Sequence, residues 1–265
     1  MSTITLEATP ERRVQSRRIS IAHLTTVELR KMFDTRSGFW LMASIAIAAV
    51  LATTAAILFA PEDELTYSTF ASAIGIPIAI ILPMIAILSV TSEWSQRSGL
   101  TTFTLVPRRH CVVIAKGIAS IGVGAASVLL AFAVGAVGNV VGTAITGVDT
   151  VWDASVRECL SIILANVLGL LIGFMLGVLI RNSPGALVAY FIYSGVLPSI
   201  FAMLAASQEW FRELQPWVSF SYAQGALFDT AMTSTQWAQL GVTGVLWLLI
   251  PMAVGVWLLL RSEVK

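Results

Sequence analysis

Six long apolar runs separated by short polar stretches set the pattern along this chain. Residues 37–61, 65–92, 117–148, 159–180, 182–208 and 230–260 contain no Asp, Glu, Lys or Arg. A helix needs about 20 apolar residues to cross the hydrocarbon core of a bilayer, so each run spans once and none comfortably spans twice. A membrane barrel would instead alternate apolar and polar residues in segments of about ten, and the runs do not alternate. The pattern predicts an all-α integral membrane protein with six transmembrane helices. The first run follows a polar lead of more than thirty residues and is too long for the apolar region of a signal peptide, so it is expected to stay as a helix.

The segments between the runs carry further pattern. From Ser20 to Arg36, Ile21, Leu24, Leu29, Met32 and Phe33 fall on one side of a helical wheel, with His23, Arg30, Lys31 and Asp34 opposite. This predicts an amphipathic elbow helix over 20–37, lying in the membrane surface and leading into span one, with Trp40 at interface depth. Glu28 projects toward the apolar side, which calls for a partner the sequence does not identify. Residues 1–19 read as a polar tail whose arginines are attracted to anionic lipid headgroups, and 20–265 as a single transmembrane domain. Pro77 and Pro83 in span two, Pro198 in span five and Pro251 in span six invite kinks, for gating or as ordinary membrane-helix prolines. In span four "GLLIGFMLGVLI" places Gly169, Gly173 and Gly177 at four-residue spacing, a face suited to close packing within the chain or against a second copy. The aromatic-rich segment 207–237 has too short an uncharged part to span, and predicts one or two short helices at the outer interface.

Composition agrees with a membrane protein: 57% of residues are hydrophobic and 12% charged, against roughly 25% charged in soluble domains. The placement of charge says more. With the N-terminus assigned to the cytoplasm, the inner segments hold Arg12, Arg13, Arg17, Arg18, Arg30, Lys31, Arg36, Arg97, Arg108, Arg109, Lys116, Arg181, Arg261 and Lys265, and the outer ones only Arg157 and Arg212. The positive-inside rule therefore puts both termini in the cytoplasm.

The spans contain none of the carboxylates, lysines or histidines with which ion-coupled transporters pay for charge in the membrane. Their strongest polar groups are Asn139 and Asn166, suited to hydrogen bonding between helices or to a substrate path. Cys111 and Cys159 fall at opposite ends of their helices and lack the neighbours a metal site needs. No H-E-x-x-H or G-x-S-x-G motif occurs, and no G-x-x-x-x-G-K-[ST] loop for nucleotide phosphates. Nothing points to nucleic acid, to a metal or to catalysis on this chain, so uphill transport would draw its energy from another chain.

One polar stretch stands out. "SEWSQRSGLTTFTLVPRRH", residues 92–110, sets Trp94, Leu100, Phe103, Leu105 and Val106 among Glu93, Arg97, Arg108 and Arg109 on the side assigned to the cytoplasm, and Pro107 should end a helix there. The stretch 91–116, with Glu93, Thr101 or Thr102, Leu105, Pro107, Arg108 or Arg109, and Lys116, together with "TVELRKMFDTRSGFW" at 26–40, resembles the permease subunits of type-2 ATP-binding-cassette exporters, particularly those of actinobacteria. The resemblance covers nearly the whole chain. It departs from the family pattern between Glu93 and Thr101, which is rich in serine and glutamine, and it is loose after span five.

The resemblance implies that 91–111 is a coupling helix docking on an ATPase subunit through Glu93, Trp94, Arg97, Thr101, Thr102, Leu105, Arg108 and Arg109, and that Glu28, Arg30 and Lys31 belong to the elbow helix. It also implies a second permease, identical or related, and ATP and Mg on the partner with no cofactor here. The setting would be a bacterial plasma membrane, the cargo an amphiphile such as a drug, lipid or lipid-linked glycan. A membrane scaffold or sensory subunit that recruits a cytoplasmic partner is the alternative, and an ion-coupled secondary transporter a third reading.

Overall fold

A computed structural model describes residues 20–34, 36–95, 109–228 and 231–261. Among these the protein is helical throughout and has no sheet. Six helices are long and apolar enough to cross a membrane: Gly38–Phe59, Tyr67–Ser92, His110–Thr146, Val156–Ile180, Ser183–Ser207 and Ser234–Arg261, here spans one to six. Each contains most of one uncharged run, because an unbroken apolar stretch can satisfy its backbone in hydrocarbon only by coiling on itself; span three starts seven residues ahead of its run and so takes in Lys116, and span four takes in Arg157 and Glu158. The end of the bundle that holds the N-terminal helix, Arg181 and Arg261 is called the basic end, and the other, which holds Glu62, Glu64 and Asp153, the acidic end.

Span two lies at the centre and packs against spans one, three and four. Ile74, Ile78, Leu82 and Ile85 of span two meet Ile45 and Ala49 of span one, Val128 and Ala131 of span three, and Leu170, Phe174 and Val178 of span four. The lipid-facing surface stays apolar, with Phe59, Ile76 and Met203 among the side chains turned outward. Buried hydroxyls bond within their own helix: Thr91 to the Ile87 carbonyl, Ser127 to Val123, Thr143 to Asn139 and Thr243 to Gln239. That gives each hydroxyl proton an acceptor on its own helix.

The glycine face of span four packs within the chain. A Cβ on Gly173 would lie 2.5 Å from the Pro83 carbonyl oxygen and 2.8 Å from its Cα, and one on Gly177 3.3 Å from the Ile87 carbonyl oxygen. Backbone thus lies on backbone between spans two and four, the contact that small residues permit.

The four prolines act differently. Pro77 and Pro83 lie inside one continuous helix, Tyr67–Ser95. Pro198 and Pro251 each follow a five-residue π-helical segment, Ile192–Val196 and Val245–Leu249, which widens the helix ahead of the missing donor.

At the acidic end the loop between spans three and four closes over the start of span two. The Tyr67 amide donates to the Val151 carbonyl at 3.2 Å, and the Asn139 side-chain amide donates to the same oxygen at 2.9 Å. Asp153 accepts from the Ser68 amide at 2.8 Å and the Ser68 hydroxyl at 2.6 Å. Slight burial would raise the Asp153 pKa, but these bonds outweigh it and hold the carboxyl below its usual range. A carboxylate at a helix N-terminus is favoured by the unsatisfied amides there. At the basic end spans four and five are joined by Arg181 and Asn182 alone. Arg181 takes the left-handed conformation, φ 56°, and the Asn182 side chain accepts from the Gly185 amide to start span five.

Segment 207–237 holds two short helices, Glu209–Val218 and Phe220–Gly225. The first carries Glu209, Arg212 and Glu213 on one side and exposed Trp210, Leu214 and Trp217 on another. The second enters the bundle. Phe220, Ala223 and Leu227 are buried against Ala165, Ile172 and Met175 of span four and Leu240 and Leu248 of span six. Two long-range bonds set its depth: Gln224 Nε2 donates to the Ala165 carbonyl at 2.7 Å and Trp247 Nε1 to the Val218 carbonyl at 2.7 Å. Ala165 and Trp247 lie nine and thirteen residues inside their spans, about 14 and 20 Å along the helix axes, so this segment dips well below the span ends.

Gly173→Ala should lower the melting temperature sharply, because the added methyl meets Pro83 backbone that cannot swing aside. Gly122→Ala, with nothing within 4 Å of the new Cβ, should leave it unchanged or raise it, in line with a helix-propensity gain of about 0.5–1 kcal/mol. Thermal unfolding of both variants in detergent checks this.

Candidate functional site

The helix Ile21–Asp34 turns Leu24, Thr25, Glu28 and Met32 toward the bundle and lies chiefly along span three. Glu28, the residue that interrupts its apolar side, is the only one of the fourteen to be buried. Its partner is Lys116 in the second turn of span three: Lys116 Nζ is 2.5 Å from Glu28 Oε2, and the two side chains are 7% and 8% exposed. Lys31, one turn on from Glu28, adds a contact of 2.8 Å to Oε1. Arg30 points away and is exposed.

Lys116 also reaches span two, donating to the Ser89 carbonyl at 3.2 Å, and the Ser89 and Ser120 hydroxyls lie 3.4 Å apart. The N-terminal helix, span two and span three therefore meet at one ammonium group. Burial would raise the Glu28 pKa, but the Lys116 charge and the hydrogen bonds from Lys116 and Lys31 more than offset this and hold it below the usual glutamate range. Among the described residues Glu28 and Lys116 are the buried charged side chains.

The helices continue past this junction. Span two's helix runs six residues beyond Ser89 to Ser95, and span three's helix begins at Arg109, seven residues before Lys116. Each thus extends about 10 Å beyond the ion pair, toward and away from the segment between them. Of the residues singled out in the sequence, Glu93 and Trp94 lie in the last turn of the first extension and Arg109 opens the second. Arg97, Thr101, Thr102, Leu105 and Arg108 lie outside the described residues.

Asn139 and Asn166 sit apart from this junction and from each other. Asn139 ties the loop at Val151 to the acidic end of the bundle. The Asn166 side-chain amide donates to the Ile162 carbonyl of its own helix at 2.9 Å. Each has a buried side-chain oxygen with no partner in the protein. No group of three or more His, Cys, Asp and Glu that could hold a metal occurs among the described residues. Sequence reasoning left Glu28 without its partner. The signal was there in two halves: a carboxylate on the wrong face of an amphipathic helix, and a lysine a turn inside an apolar helix.

Removing one partner of a buried ion pair costs about 3–5 kcal/mol, whereas replacing both with apolar groups can be neutral. Lys116→Met should therefore lower thermal stability in detergent strongly, and the double variant Glu28→Leu with Lys116→Met should recover most of the loss. The pair's contribution also has a pH window. With the folded pKa of Glu28 depressed, it is fully present above the ordinary glutamate value of about 4.3 and is lost only as pH falls below that through the folded value. A melting series from pH 7 to 3 should show this acid limb in the parent protein and a shallower one in Glu28→Gln. No protein-family model matches the chain, and no curated protein sequence matches it.

Proposed function

We propose that this chain is the permease subunit of an ATP-driven exporter of the type-2 ATP-binding-cassette class, catalytically inert by itself. A separate ATPase subunit, with ATP and Mg, would act on the segment between spans two and three. A second permease, identical or related, would complete the path for an amphiphilic substrate such as a drug, lipid or lipid-linked glycan. The setting is a bacterial plasma membrane, with both termini and the basic end in the cytoplasm.

The observation that carries this reading is the Lys116 junction. A push on the 92–110 segment enters two helical extensions of about 10 Å, and the ammonium that joins them is locked to the N-terminal helix, so the three elements respond together. A connection meant only to link two spans has no need of rigid extensions or of a buried charge. The ion-coupled reading gains no support, since the buried charges lie at the basic end of the bundle and not along its length.

The test is a pull-down of the tagged full chain from native membranes, with bound proteins identified by mass spectrometry and ATPase activity assayed on the eluate. A stoichiometric P-loop ATPase is expected, lost when residues 92–110 are replaced by a neutral linker that preserves insertion. Activity should rise with an amphiphilic substrate, which a scaffold would not produce. Recovery of the chain alone, stable and without ATPase activity, would overturn the proposal.

A further inference from the structure

Pro83, halfway along span two, has no N–H, so the Ala79 carbonyl four residues earlier loses the donor that an unbroken helix supplies. An orphaned carbonyl in hydrocarbon is strongly unfavourable, and something must replace the lost bond. The replacement comes from span five: the Tyr190 hydroxyl donates to the Ala79 carbonyl at 3.0 Å. Tyr190 is 6% exposed and packs with Ile87 of span two and Ala186. Toward the basic end the hydroxyls of Thr91 and Ser183 lie 2.7 Å apart. Ser183–Phe191, the first part of span five, is thus fastened to span two at two points.

Beyond Tyr190 the fastening ends. The next five residues, Ile192–Val196, form a π-helical segment, and Pro198 follows and removes the donor for the Ser194 carbonyl. Gly195 has nothing within 4 Å of where a Cβ would stand, and Ile192, Val196, Ile200 and Met203 are exposed. The remainder, Leu197–Ser207, packs on the helix Glu209–Val218, with the Phe201 and Phe211 rings 5.5 Å apart. Of the five residues Ile192–Val196, Tyr193 alone is half-buried, its ring 5.8 Å from that of Trp247 in span six. A widened turn followed by a proline, and otherwise turned outward, is where a helix bends at least cost.

We propose that the basic-end half of span five moves with span two as one body, fastened by the Tyr190 hydroxyl to the Ala79 carbonyl, and that Ile192–Val196 is the hinge on which this body turns against the rest of span five. Tyr190 is a positioning residue: it repairs the proline break in span two and spends that bond on a second helix. The hinge does not depend on what drives the 92–110 segment, so it stands or falls separately from the exporter reading.

The test uses the full chain in lipid nanodiscs, with Cys111→Ala and Cys159→Ala and spin labels on introduced cysteines at exposed positions, read by electron double resonance. The pair Ile76→Cys with Val188→Cys reports the fastened body and should give one narrow distance distribution. The pair Val188→Cys with Met203→Cys crosses the hinge and should give a broad or two-peaked one. Tyr190→Phe removes only the hydroxyl, and should at least double the width of the first distribution while leaving the second as it was. A single narrow distribution across the hinge would overturn the proposal without any change at Tyr190. So would a first distribution that Tyr190→Phe leaves unaltered.

Discussion

A buried ammonium must find a carboxylate, and the arrangement at the basic end follows from that requirement. Lys116 lies a turn inside span three, where its charge is costly unless neutralised. Glu28 can neutralise it only if the N-terminal helix lies along span three with its apolar side inward. Once the two meet, a second Lys116 donor goes to the Ser89 carbonyl, and span two is drawn in. A single electrostatic demand thus sets the position of a helix that hydrophobicity alone would have let slide over the membrane surface.

The same accounting, applied to the backbone, explains much of the rest. Hydrocarbon offers no water to a freed carbonyl, so each helix irregularity in the bundle needs a donor. Ala79 receives the Tyr190 hydroxyl. Where the chain turns between the two short helices of segment 207–237, the Val218 carbonyl receives the Trp247 indole N–H. Non-helical backbone is tolerated at that depth because side chains of neighbouring elements complete it.

The number of the spans and most of their limits were legible in the sequence because absence of charge over twenty or more residues is a local property; the start of span three, seven residues ahead of its uncharged run, was not. The cost of charge in hydrocarbon makes that absence decisive. What the sequence could not supply lies between distant residues. Glu28 announced a missing partner, but Lys116 is 88 positions away and nothing local ties them. Pro77 and Pro83 marked missing donors in span two, but not that the helix runs through both, nor that the donor Pro83 removes is replaced by a hydroxyl 111 residues beyond Ala79. Pro198 and Pro251 marked the right places without revealing the π segments ahead of them. The glycine face of span four left two packings open, and only the approach of Gly173 to Pro83 decides between them. The aromatic residues of 207–237 spoke for headgroup depth, but Phe220 goes deeper because the Ala165 carbonyl of span four accepts from Gln224 and the Trp247 indole of span six donates to Val218 there.

The link between spans four and five has a consequence for how far the two can part. With Arg181 and Asn182 alone between them, the chain can separate the facing helix ends by no more than about 10 Å even when fully extended. At the basic end the two therefore share a leash: either can tilt or turn, but neither can slide along the other by more than about two helical turns without unwinding its end.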